Sequence, residues 1–98
     1  MPKVIYSRKA RADFAGIWRW IAGASGEARA NDIVGRIERR ISILENHAGI
    51  GSSRPDVGTD ARFLVAERGV VLYSVQNNAV RINRILDGAS DIKNRVQE

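Results

Sequence analysis

A chain of 98 residues with 44% hydrophobic and 28% charged side chains suits one folded domain, residues 1–98, and leaves little room for a second. The absence of cysteine excludes disulfides and thiolate metal sites, and no apolar run is long enough for a signal peptide or a bilayer span. The expectation is a cytoplasmic protein with no membrane contact. Sixteen Lys and Arg against eleven Asp and Glu give a net charge of +5, an excess that attracts nucleic acid or an acidic protein partner.

The basic side is almost wholly arginine, with lysine only at Lys3, Lys9 and Lys93. Guanidinium forks suit paired contacts to carboxylate or phosphate. An arginine-rich genome would give the same bias.

Val4, Ile5 and Tyr6 form a short β-prone run, the predicted first strand. Ser7 is placed to cap a helix. Ala10, Phe14, Ile17, Trp18 and Ile21 then recur every three or four residues, the apolar face of a helix running to about Ala22. Gly23, Ser25 and Gly26 break the pattern, and Ser25 is placed to cap the next helix. There Ala30, Ile33, Val34, Ile37, Ile41, Leu44 and Ala48 hold helical spacing over about five turns, with Arg29, Asp32, Arg36, Arg39 and Arg40 on the opposite face. Gly49 is the expected C-terminal cap. Two amphipathic helices joined by a short Gly/Ser turn read as an antiparallel hairpin.

Residues 50–60, rich in Gly, Ser, Pro and Asp, read as a surface connection. Three strand-like runs follow: Arg62 to Ala66, Val70 to Gln76 and Val80 to Leu86. The turns between them fall at Glu67-Arg68-Gly69 and Asn77-Asn78, where Gly and Asn tolerate positive φ. The predicted order is therefore β-α-α-β-β-β. It is an α+β fold with an N-terminal strand, a helical hairpin and a three-stranded meander forming one antiparallel sheet, whose other face is left to solvent or a partner. The tail from Ala89 is polar, anchored only by Ile92 and Val96.

This order, length and charge resemble the ParE/RelE toxin superfamily, and its ParE branch in particular. The markers are Ile5-Tyr6-Ser7 followed by Ala10 and Asp13, and the long second helix. After them comes Gly51-Ser52-Ser53-Arg54-Pro55-Asp56-Val57-Gly58, similar to a Gly-x-x-Arg-Pro-Asp-Leu segment common in ParE-like members. Arg62 then opens a strand, Val71-Leu72-Tyr73 sits in the next, and Val80 to Leu86 forms the last. One departure stands out. Where ParE-like members often carry His-Gly-x-Arg-Asp, this chain reads Asp87-Gly88-Ala89-Ser90-Asp91.

The resemblance implies the toxin of a type II toxin–antitoxin pair, of the kind used in plasmid stabilisation. It would be neutralised by a cognate antitoxin and act on DNA gyrase. RelE-like members instead cleave mRNA on the ribosome, so the fold alone does not choose the target. Arg62, Arg81, Arg84 and Asp91 are the expected target-contacting residues.

The ribonuclease alternative needs a base, an acid and cations at the phosphate. Arg62, Arg81 and Arg84 are candidate cations, or they solvate the sheet and pair with acids. The acid and base are missing. His47, the only histidine, sits at the end of the second helix, where a cation is stabilised by exposed carbonyls. Tyr6 and Tyr73 read as packing residues. After the last strand stand only Asp87, Ser90 and Asp91, and an ordinary aspartate is a weak base at neutral pH. The expectation is a non-enzyme with no catalytic residues, no metal and no cofactor. One histidine without cysteine builds no zinc site, and the glycines lack a phosphate-loop context.

A toxin of that kind works by binding. Trp20 points away from the apolar stripe, either as an anchor for an antitoxin segment or packed beneath the 50–60 connection. With Arg36, Arg39 and Arg40 it forms the expected antitoxin-binding set. Those arginines are either a solvated helix face or the contact for an acidic antitoxin segment. A non-catalytic nucleic-acid-binding module is the remaining alternative; no exposed aromatic pair on the strands favours it.

Overall fold

The computed structural model describes residues 3–67 and 69–87, the last by its backbone. Strand β1 is Lys3–Tyr6, and Ser7 turns the chain into helix α1, Arg8–Ser25. The Ser7 hydroxyl accepts from the Ala10 amide at 3.0 Å, which satisfies one donor of the open first turn. It also donates to the Asn83 carbonyl at 2.9 Å, so the cap ties the helix to a distant strand.

The first helix runs three residues past the expected Ala22, and Ser25 lies in its last turn. The break is Gly26 alone, with φ +91° and ψ 162°. Its amide donates to the Ala22 carbonyl at 3.0 Å, so one glycine both ends α1 and precedes α2, Glu27–Ser42. No side chain caps α2, whose first turn instead carries Glu27. Ala30, Ile33, Ile37 and Ile41 face the core as their spacing requires. The helix stops earlier than expected. Ser42 donates its hydroxyl to the Arg39 carbonyl at 2.7 Å, and Ile43–Glu45 tighten into a 3-10 turn that still buries Leu44. Gly49 is not the cap, because Gly26 is the only glycine with positive φ among the described residues.

The remaining strands are β2 (Ser52–Ser53), β3 (Ala61–Ala66), β4 (Gly69–Gln76) and β5 (Ala79–Asp87). They form a five-stranded sheet in the order β1-β5-β4-β3-β2. The meander is as expected, with Asn77 and Asn78 both at positive φ in the β4–β5 turn. Two points correct the sequence reading. The 50–60 connection contributes β2, which pairs antiparallel with β3. The sheet is mixed, because β1 pairs parallel with β5, Val4 opposite Val80 and Tyr6 opposite Ile82. The connection bearing β2 turns the chain once more before β3, so β5 runs the same way as β1.

Both helices lie on one face. Val4, Tyr6, Leu64, Ala66, Val71, Tyr73, Val80, Ile82 and Ile85 meet the helical stripe there in one core. Trp18 is half-buried at its margin and donates its ring N–H to Asn31 at 2.8 Å, joining the two helices. The other face carries a second buried cluster of Val70, Leu72 and Leu86, with Phe63 against it. A bulge sits between them in β5: Tyr73 pairs with Ile82 but Leu72 with Arg84, so Asn83 is the extra residue. The bulge shifts the alternation by one. Ile85 therefore reaches the helical face, where a regular strand would have placed Arg84.

Candidate functional site

The Gly51–Gly58 segment is built as a self-locked loop. Gly51 is buried under Tyr73, whose hydroxyl accepts from the Gly51 amide at 2.9 Å and donates to the Ala48 carbonyl at 2.8 Å. A Cβ on Gly51 would lie 2.6 Å from the Phe63 carbonyl, so only glycine fits. Arg54 forks onto Asp56, Nε to Oδ1 at 2.9 Å and Nη2 to Oδ2 at 2.7 Å, and its guanidinium sits 5.6 Å from the centre of the Phe63 ring. The hydrogen bond to Asp56 raises the Arg54 pKa further above its ordinary value. Arg54, Pro55 and Asp56 thus shape the loop.

The expected target-contacting residues do not converge. Arg62 lies on β3 opposite Tyr73 and donates to the Gly51 carbonyl at 2.8 Å and the Gly49 carbonyl at 3.3 Å, holding the start of the loop. Arg84 is bound twice by Asp13 of α1, Nε to Oδ2 at 2.8 Å and Nη2 to Oδ1 at 3.1 Å. The same Oδ2 accepts the Ile85 amide at 2.9 Å. Asp13 therefore closes the edge of β5 where β1 has ended. Sequence reasoning named Asp13 only as a family marker and gave it no structural role; an acidic residue among the cations opening α1 was its other signal. Arg81 is exposed opposite Ile5, and no ion pair holds it within the described residues. Asp91 and Ser90 lie outside the described residues, as does the side chain of Asp87.

The expected antitoxin-binding residues fall into two groups. Arg36 lies 3.3 Å from Asp32 and 3.9 Å from Glu67, and the Arg40 Nε reaches the Val65 carbonyl at 3.4 Å. Arg39 is exposed beside them. This basic face therefore abuts the end of β3. Trp20 is 58% exposed and sits over the end of β5, lining a groove with Gly16, Ile17 and Leu86 rather than packing beneath the 50–60 connection. The two groups flank the central strand β4.

A cleft of about 320 Å³ opens on the face away from the helices, lined among others by Asp60, Ser74, Gln76, Asn83 and Arg84. Those five side chains are paired with one another or with their neighbours. Gln76 donates to Asp60 at 2.8 Å, Asn83 to Ser74 at 3.3 Å, and Arg84 to Asp13. His47 is exposed at the far end of the helical hairpin, after the 3-10 turn. Among the described residues no three His, Cys, Asp or Glu side chains gather to hold a metal ion. No helix among them is long and apolar enough to cross a membrane.

The family described as "ParE toxin of type II toxin-antitoxin system, parDE" matches residues 4–92. No curated protein matches the chain significantly. Among solved structures, a chain of the chromosomal ParDE TA system from P. aeruginosa is 25% identical, with a TM-score of 0.80. The alignment covers 91% of this chain and 98% of that one.

Proposed function

This chain belongs to the ParE toxin family of type II toxin–antitoxin systems, and from that premise we propose that it inhibits DNA gyrase by binding, without catalysis. The observation that supports a binding mode is the pairing inside the cleft of about 320 Å³. Arg84 is clamped by Asp13, Asn83 is bonded to Ser74, and Gln76 to Asp60. A phosphoryl-transfer site instead needs an acid and a base poised beside free cations. Asp60 is the acid nearest that arrangement, and it is already an acceptor.

The antitoxin in this reading is a protein with an acidic segment. Arg36, Arg39 and Arg40 meet that segment, and Trp20 anchors a second part of it across β4. Gyrase and the antitoxin both place the protein in the cytoplasm. Purified toxin is expected to stop gyrase supercoiling while leaving cell-free translation intact. Loss of translation with supercoiling intact would overturn the gyrase assignment. For the antitoxin, Arg36→Glu with Arg40→Glu should weaken complex formation at low salt by at least tenfold; unchanged affinity would remove the basic face from the interface.

A further inference from the structure

One end of the molecule gathers exposed cations without an ion pair among the described residues. Several arginines elsewhere are engaged: Arg29 and Arg36 with Asp32, Arg54 with Asp56, Arg62 with two carbonyls, Arg84 with Asp13. Arg11, Arg19 and Arg39 are exposed without an ion pair among the described residues, but they line no cleft with one another. The junction of β1, α1 and β5 is different. Arg8, Lys9 and Arg81 are exposed, with Lys3 nearby on β1, and none has an ion-pair partner among the described residues. Arg8, Lys9 and Arg81 line one cleft of about 360 Å³ together with Ser7, Asn83 and Arg84. Asp13, the acid that holds the cleft's Arg84, also takes the Ile85 amide. The first turn of α1 holds no acidic residue, although the helix dipole favours one there. Cations gathered against the dipole, with no ion-pair partner among the described residues, raise the energy of the free protein, and a bound anion lowers it.

We propose that this cleft binds the phosphodiester backbone of duplex DNA, without reading sequence. The partner follows from what the cleft offers and what it lacks. A protein segment takes its affinity from buried apolar anchors, and among the described residues the cleft has none; Ile5, on the neighbouring strand, is the only large apolar side chain among them exposed nearby. A phosphate backbone needs only cations and polar donors. No aromatic ring lines the cleft, so bases are not stacked and sequence is not discriminated. The inference deepens the gyrase reading and rests on it for the source of the DNA, the duplex that gyrase holds.

The test is fluorescence anisotropy of the full chain on a short random-sequence duplex at several salt concentrations. With three phosphates contacted, affinity should fall about 40-fold between roughly 50 and 200 mM salt. Combining Arg8→Ala, Lys9→Ala and Arg81→Ala should abolish most of that salt dependence. The charge-matched control Arg19→Ala, Arg29→Ala and Arg39→Ala should keep it. Circular dichroism checks that both variants fold. Inorganic phosphate should compete only at high concentration and polyglutamate poorly. The proposal is overturned if duplex DNA fails to bind, if both triple variants lose binding equally, or if polyglutamate outcompetes DNA. A supercoiling assay on the same proteins separates the two readings. DNA binding without gyrase inhibition would sink the inhibitor reading and leave the cleft. Inhibition unchanged in the cleft variant, with no DNA binding by the parent, would do the reverse.

Discussion

Tyr73 is fully buried, yet its hydroxyl is satisfied from both sides by the Gly51 amide and the Ala48 carbonyl. Tyr73→Phe keeps the ring and strands both backbone groups, so it should cost about 1–3 kcal/mol in urea unfolding. Gly51→Ala should cost at least as much, about 1–3 kcal/mol or more, because the added carbon meets backbone that has no room to yield. Tyr6 makes a different prediction. Burial raises its pKa above the ordinary 10, with Glu38 and Glu45 adding to the shift. Above pH 10 the unfolded phenol ionises while the folded one keeps its proton. Stability is therefore intact below that pH and declines as pH climbs toward the folded value. Tyr6→Phe should lose less stability between pH 9 and pH 11 than the parent, and an equal loss would place the titrating group elsewhere.

At the level of elements, the clamp between α1 and β5 is the joint most open to test. Asp13→Ala releases Arg84 and the Ile85 amide together. A partly buried, doubly bonded pair of this kind should cost about 2–3 kcal/mol when one partner is removed. Adding Arg84→Met should recover part of that, since the uncompensated cation goes with it, and a double-mutant cycle measures the coupling. The clamp also shows where sequence reading stopped. Helical periodicity placed both helices and the Ile33–Ile37–Ile41 stripe, and Asn77-Asn78 placed the last hairpin, because those signals are local. The partnership of β1 with β5 is not local, and β2 is two serines with no strand propensity of their own. For Arg62 and Arg84 the sequence left open whether they are free cations or paired, and named no partner, because the partners lie 11 and 71 residues away in the chain. Similarly, the Arg-Pro-Asp motif was legible as a family marker, while its work as a loop lock appeared only once Phe63 and Ala61 were in place.

For the whole molecule, the fold depends on the core where the helices meet the sheet. Ile37 is 4% exposed there. Ile37→Asp buries an unpaired carboxylate, at a cost of several kcal/mol against a total stability of about 5–15. Growth inhibition on expression should disappear with that variant, alongside loss of the folded circular dichroism spectrum. Full toxicity would mean the helical face has been assigned wrongly. The parallel pairing of β1 with β5 also sets a schedule for the cell. The bond from Ser7 to Asn83 spans 76 residues of chain. At synthesis rates of about 5–20 residues per second, the first strand waits roughly 4–15 s for its neighbour to be made. Through that interval the nascent toxin lacks the strand that closes its sheet, and its helices have no finished floor to rest on. Each copy thus spends the first seconds of its life without a finished sheet, and any property that needs the whole fold begins only after β5 has been made.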